Sequence, residues 1–250
     1  MTREQRTVFG EIAEQYDAIR PSYPNEMFEI IMNYGGLQPG DRALEIGAGT
    51  GIATLPFMAR GLDVHALEPS EGMAGVLRMK GVRVEETTFE QFDVDHAAFS
   101  LVFAAQAWHW VEAADRCAMV ADALRPGGTV ALMWNIGRDH PEPFKTDNDA
   151  AYRRWWPEQD LSYAQIEAAE LIDEFARCGA FEPIIERRVT WHCSYSRDEW
   201  LRMLGTASNH RMLPEDVRMA LHAEVGDAID AHGGALPVTY DTVCYLSRRV

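Results

Sequence analysis

The chain has 250 residues, 47% hydrophobic and 25% charged, with 23 Lys+Arg against 39 Asp+Glu for a formal charge of −16. That mixture belongs to folded globular chains, and the length allows one large α/β domain with a full core. The acidity disfavours phosphate backbones and anionic lipid surfaces as partners, and no apolar run reaches the roughly 18 residues of a membrane span.

Met1 to Arg6 is charged and has no apolar stretch, so a secretory signal is not expected and the cytoplasm is the expected compartment. From residue 42 onward, short β-like runs alternate with amphipathic helical stretches. Arg42–Ile46 reads as a strand running into a glycine-rich turn, Ile52–Arg60 as a helix and Leu62–Leu67 as a second strand. Ser70–Lys80 is a helix with Ser70 as its N-cap, and Val82–Thr87 a third strand. Phe99–Ala104 is a fourth strand and Glu112–Leu124 a helix ended by Arg125-Pro126-Gly127-Gly128. Thr129–Trp134 is a fifth strand. This rhythm predicts right-handed βαβ crossovers and a parallel sheet with helices on both faces.

The second half changes character. Residues 136–165 carry Pro141, Pro143, Pro157 and Trp155-Trp156 with no strand pattern. A helix is expected at Ile166–Cys178, a long strand at Phe181–Trp191, helices at Arg197–Ser208 and Pro214–His232, and a last strand at Val238–Leu246. No repeat or linker divides the chain, so residues 1–250 read as one domain. Cys117, Cys178, Cys193 and Cys244 lack C-x-x-C spacing and read as reduced thiols, with no metal site.

The sharpest signal is Glu45-Ile46-Gly47-Ala48-Gly49-Thr50-Gly51, between the first strand and a helix. Glycines there permit positive φ and let a ligand lie against the backbone. The third glycine of the dinucleotide fingerprint falls on Ile52, and the Glu45 carboxylate would oppose a pyrophosphate. Both features favour a nucleoside with a cationic tail over a dinucleotide. Glu68, ending the second strand, suits the two hydroxyls of a ribose.

Glu45–Gly51, Glu68-Pro69-Ser70 with Met73, and Leu124–Gly128 resemble the S-adenosylmethionine-dependent class I methyltransferases. Tyr16–Pro24 and Ala105-Gln106-Ala107-Trp108-His109-Trp110 are similar to the small-molecule branch containing the type 11 and trans-aconitate methyltransferase-like proteins. The resemblance covers residues 9–135 well and the rest in outline. It implies a Rossmann-like α/β fold with a mostly parallel seven-stranded sheet, the last pair antiparallel, and helical insertions forming a cap. Residues 1–35 would be an N-terminal lid arm, 36–135 the cofactor-binding core, and 136–250 the insertions and sheet-closing strands.

By the same resemblance, Gly47, Ala48, Gly49 and Gly51 lie under the methionyl part of the cofactor, with Glu45 near its amino group. Glu68 takes the ribose, while Pro69, Ser70 and Met73 flank the adenosine. Thr88 and Phe89, followed by Glu90, border adenine, and Gln106 reaches the methionyl side. Tyr16 and Arg20 fold over the cofactor, with Arg20 pairing its carboxylate. Ser100 stands where the family commonly has Asp.

The implied activity is methyl transfer to a small-molecule acceptor, by a monomer or homodimer with neither nucleic acid nor membrane as partner. Among the eight histidines, His109 is the candidate base, and His140, His192 and His210 are candidates for the pocket wall. Trp108, Trp110, Trp134 and Trp155 are candidate walls of an apolar acceptor pocket. Two other readings stand beside this one: a non-catalytic protein that binds the same cofactor, and a nicotinamide-dependent oxidoreductase.

Overall fold

In the computed structural model, which describes residues 13–112, 114–159 and 168–250, all seven expected strands form. They are β1 (Arg42–Ile46), β2 (Asp63–Leu67), β3 (Arg83–Glu85), β4 (Phe99–Ala105), β5 (Leu124–Gly137), β6 (Ile185–Ser196) and β7 (Ala235–Arg248). They join one sheet in the order β3-β2-β1-β4-β5-β7-β6. Strands β1 to β5 pair in parallel, and β7 runs antiparallel to both neighbours, β5 and β6.

The central strands read as unbroken apolar runs because both sheet faces are covered. In β4, Val102 and Ala104 enter one core with Leu44, Ile46 and Trp134. Leu101 and Phe103, alternating with them, enter a second core with Phe28, Phe57 and Met133 on the opposite face. The helix α2 (Asn25–Gly35) supplies Met27, Phe28 and Ile31 to that second core. It closes at Gly36, whose φ of 59° supplies the left-handed cap. Before it lies α1 (Ala13–Ile19); α1 and α2 both fall within the expected arm of residues 1–35, and α2 is part of the second core. Residues 1–12 lie outside the described residues.

Between β1 and β2 lies α3 (Thr54–Ala59), and between β2 and β3 lies α4 (Glu71–Met79), capped by Ser70 as the sequence predicts. The helix α5 (Arg116–Ala123) leads directly into β5. Arg125–Gly128 therefore does not delay the strand. Leu124 already pairs with Phe99, Thr129 next pairs with Leu101, and the four residues between bulge out of the ladder.

The segment 136–165, read as having no strand pattern, contains the end of β5 and a helix, α6 (Phe144–Trp155). Pro143 at its N-cap and Pro157 beyond its end bracket the helix instead of breaking it. Then come α7 (Ala168–Cys178), α8 (Arg197–Gly205), α9 (Ser208–Arg211) and α10 (Glu215–Ala231). The single helix expected over 197–208 is broken at Thr206–Ala207, and that break reaches the site. Ser196 and Glu199 close a capping box at the start of α8, with Ser196 N–H donating to Glu199 Oε2 at 2.8 Å. Helices α6, α8 and α10 pack on the ends of β6 and β7 around Trp200, Leu221, Val225 and Tyr240, a third core that makes a cap beside the sheet.

Candidate active site

The order β2-β1-β4 places β1 where the chain's crossovers diverge to opposite sides, and the crevice at its C-terminal end is where such sheets take ligands. There the backbone leaves β1 through Gly47 (φ 67°) and Gly49 (φ 59°). A Cβ on Gly47 would stand 2.6 Å from Ala107 Cβ, so only glycine lets the turn pass that close to Ala107, two residues past β4. A Cβ on Gly49 would meet nothing within 4 Å, because that side of the turn is open to the cavity. Ala48 N–H donates to Leu67 O at 3.0 Å and pins the turn to the end of β2.

Glu68, buried at 7% exposure, accepts Gly49 N–H and Ser70 N–H, each at 2.8 Å and each on a different carboxylate oxygen. Every carboxylate oxygen has two lone pairs, so two remain to accept from a ligand's hydroxyls. Burial raises the Glu68 pKa, and the two backbone donors oppose the rise. Glu45, 1% exposed, accepts a hydrogen bond from Thr54 Oγ1, and burial pushes its carboxyl up to about 8. The nearby Glu68 charge pushes in the same direction as burial. Glu45 is thus a mostly neutral acid in the ligand-free protein, where the sequence suggests a standing negative charge.

Two spaces border the turn and share Tyr16, Arg20, Gly47, Gly49 and Gln106 in their walls. The larger, of about 440 Å³, is lined by Tyr16, Arg20, Gly47, Gly49, Glu68, Pro69, Met73, Thr88, Phe89 and Gln106, all expected at the cofactor. Glu90 is there too, while Glu45 and Ala48 line the smaller recess under Arg20. Gly51 and Ser70 serve indirectly, Gly51 in contact distance of Leu77 and Ser70 as the cap of α4 and a donor to Glu68.

Gln106 holds the left-handed conformation at φ 58°, a costly one for a residue with a side chain, and lies at the end of β4. Its N–H donates to Met133 O at 2.8 Å and its side chain to Asn135 O at 2.9 Å, which fixes it on the cavity wall. Such conformations persist where surrounding contacts over-determine them, commonly at functional sites.

The arm is docked. Ala13 and Tyr16 of α1 pack on Met73 and Val76 of α4. Lys80 Nζ reaches Asp17 Oδ1 at 2.5 Å and Thr50 O at 2.9 Å, tying the arm to the glycine turn. Arg20 lies over the Tyr16 ring, 5.0 Å from its centroid.

On the acceptor side the structure redraws the expected wall. Trp110 and His109 line the cavity, the imidazole 4.9 Å from the indole. Burial and the Arg116 guanidinium lower the His109 pKa, so the ring is neutral at pH 7. Trp108 and Trp134 are 2% and 6% exposed and belong to the first core, Trp108 tilted against Phe175 and Trp134 against Tyr245. Trp155 packs on the cap core. These three stack structural layers together and do not line this cavity.

His140, His192 and His210 are off the wall as well. His140 sits between Phe144 and Trp200 with its pKa pushed down to about 4 by burial. His192 bonds Thr239 across β6 and β7, and His210 bonds Tyr152 and His222 in the cap. Ser100 lies at the opposite end of β4, where its hydroxyl donates to Asp41 at 2.8 Å.

Beyond Thr87 and Val111, which adjoin expected residues, the lining includes Ala207, Ser208 and Asn209, far from every motif of the sequence reading. They follow the break after α8, and the only local signal was Gly205-Thr206 inside an otherwise helical run. The described residues hold no group of three or more His, Cys, Asp or Glu able to take a metal, and no described helix is long and apolar enough to cross a membrane.

Comparison with known proteins agrees with this geometry. The methyltransferase domain family matches residues 44–132, the glycine turn through β5. An uncharacterized methyltransferase of Mycobacterium tuberculosis is 35% identical over 170 residues, covering 58% of this chain and 68% of the relative. A proposed type II methyltransferase from Anaeromyxobacter dehalogenans superposes with a TM-score of 0.62 at 23% identity, over 92% of this chain and 97% of its own. Phosphoethanolamine N-methyltransferase 2 of Haemonchus contortus, solved with S-adenosyl-L-methionine, superposes with a TM-score of 0.59 at 16% identity, over 99% of this chain and 58% of its own. The chain belongs to the methyltransferase family, and residues 44–132 match its methyltransferase domain.

Proposed function

We propose that the protein transfers the methyl group of S-adenosylmethionine to a small-molecule acceptor. The observation that carries the cofactor is Glu68: a buried carboxylate at the cavity wall, locked by two backbone donors and keeping two free lone pairs for a ribose. The rest of the wall fits the same molecule. The open face of Gly49 leaves room for a ligand against the backbone, and Met73, Phe89 and Pro69 give apolar contacts beside Glu68. Arg20 suits the carboxylate, and Glu45, in the recess below it, the ammonium.

When bound, the cofactor supplies an electrophilic methyl whose sulfonium charge disappears on transfer. The chain's own work is to hold both partners in line and keep water out. Tyr16 and Arg20 cover the glycine turn from above, and Gln106 is fixed at the wall between the two spaces. For an acceptor that must lose a proton, His109 is the neutral base facing the cavity. An acceptor of low mass is supported by the cavity volume of about 440 Å³, by the charge of −16, and by the scatter of the arginines, which form no basic stripe that would grip nucleic acid.

The test is transfer of label. Protein incubated with methyl-labelled S-adenosylmethionine and a cell extract should move label into the low-mass filtrate. Label confined to protein or nucleic acid would refute the small-molecule acceptor.

A further inference from the structure

A hydrogen bond joins the cofactor arm to the cap: Arg20 Nε donates to Thr206 Oγ1 at 2.9 Å. Thr206 is 1% exposed and follows directly on α8. Its own hydroxyl hydrogen goes to Met203 O at 2.7 Å, so the lone pair turned toward Arg20 has a fixed direction. The next residues, Ala207, Ser208 and Asn209, are the cap's contribution to the cavity wall. Asn209 is tied down in turn, since its Oδ1 accepts His210 N–H at 2.9 Å.

Arg20 is a long side chain with much rotational freedom to lose. Here it is held twice, at Nε by Thr206 and on its face by Tyr16. The two terminal nitrogens have no carboxylate partner among the described residues, and the side chain borders both spaces. A guanidinium with a neutral anchor at Nε, and with no carboxylate on its terminal nitrogens among the described residues, is preorganised for an anion.

We propose that Thr206 is the positioning residue for Arg20, and that their hydrogen bond makes the Ala207–Asn209 wall respond to what Arg20 holds. The proposal rests on the reading that Arg20 takes the cofactor's carboxylate. Filling that side sharpens the orientation of Arg20. Through Thr206, it also fixes the start of α9 and the acceptor-side wall.

The experiment uses the full chain and two ligands, S-adenosylhomocysteine and 5′-methylthioadenosine, which keeps the nucleoside but lacks the amino-acid end. Thr206→Val should weaken S-adenosylhomocysteine about tenfold, while Thr206→Ser stays within about twofold of wild type. Both variants should bind 5′-methylthioadenosine as wild type does. In an Arg20→Ala background, Thr206→Val should change nothing further, because the two residues act as one unit.

Wild-type affinity in Thr206→Val, equal loss for both ligands, or simple additivity with Arg20→Ala would each overturn the proposal. Failure of the wild-type chain to bind either ligand would instead overturn the cofactor reading, and this proposal with it. If Thr206→Val does not fold, hydrogen exchange on the wild type decides the matter. Residues 206–211 should gain protection with S-adenosylhomocysteine and not with 5′-methylthioadenosine, and equal protection would overturn the coupling.

Discussion

Glu45 is the group whose state the site should change most. Burial holds its pKa at about 8, so at pH 7 roughly nine-tenths of ligand-free molecules carry the proton, by the usual titration relation. A ligand ammonium about 4 Å away, at an effective dielectric near 20, is worth about 4 kcal/mol, or roughly three pKa units. Binding should therefore ionise Glu45 and expel its proton. The ligand's own α-amino group, with a pKa of about 7.7–8.0, takes up about 0.1 proton at pH 7. Net release should be about 0.8 proton per S-adenosylhomocysteine bound. Calorimetric titration at pH 7 in phosphate and in Tris, which differ in ionisation enthalpy, reads this number directly. Glu45→Gln keeps the contact with Thr54 and removes the titration, so release should vanish and affinity fall. The same group sets a stability slope. A pKa raised on folding means the native state binds more protons than the unfolded one between about pH 4.5 and 8. Its contribution is whole below that window and is lost at up to about 1.4 kcal/mol per pH unit as pH rises through it. Ligand-free Glu45→Gln should accordingly gain stability over wild type as pH goes from 5 to 8. No proton release by the wild-type chain, with parallel stability curves for the two proteins, would refute the reasoning.

Three further outcomes follow from the same geometry. Glu68→Ala removes the acceptor of Gly49 and Ser70 N–H as well as the ribose contact. Equilibrium dialysis should show S-adenosylhomocysteine weakened by roughly 1.5–3 kcal/mol, and an unchanged Kd would make Glu68 a purely structural acid. Gly47→Ala puts a Cβ 2.6 Å from that of Ala107 at a φ of 67°. Denaturant unfolding should show a loss of about 1–3 kcal/mol, and an unmoved midpoint would mean the turn is looser than described. Lys80→Ala cuts the tie between Asp17 and Thr50 O. Amide exchange in residues 13–20 should speed up while the sheet is unaffected, and identical exchange would show that the packing of Ala13 and Tyr16 alone holds the arm.

The strand–helix rhythm of residues 42–134 was legible because each element carries its own local signal: short apolar runs, the Ser70 cap, glycine punctuation. The glycine turn and Glu68 were legible for a chemical reason, since few other patterns put a carboxylate and three glycines at adjacent strand ends. What the sequence concealed depends on long-range packing. Trp108, Trp134 and Trp155 have the composition of a pocket wall, and only the stacking of Phe175, Tyr245 and the cap core assigns them to structural layers. His140 and His210 look like site histidines until burial among aromatic rings is seen to keep them neutral, with pKa values near 4 and 3. Helix α6 was hidden because most of its length is polar, with Phe144, Asn148, Ala151 and Tyr152 as its buried residues. The break at Thr206 brings a distant segment of chain to Arg20, a contact no local pattern encodes. The rise of the Glu45 pKa is hidden in the sequence for a related reason: a carboxylate's ionisation is set by its surroundings, and here burial outweighs the one hydrogen bond from Thr54.

The most direct measurement is a crystal structure with S-adenosylhomocysteine. The account predicts both ribose hydroxyls on the Glu68 carboxylate at about 2.7 Å and the ligand carboxylate on the terminal nitrogens of Arg20. It also predicts the adenine between Met73 and Phe89, with the sulfur facing the wall of Trp110 and Ala207–Asn209. Density for the ligand elsewhere, or a ribose without contact to Glu68, would contradict it.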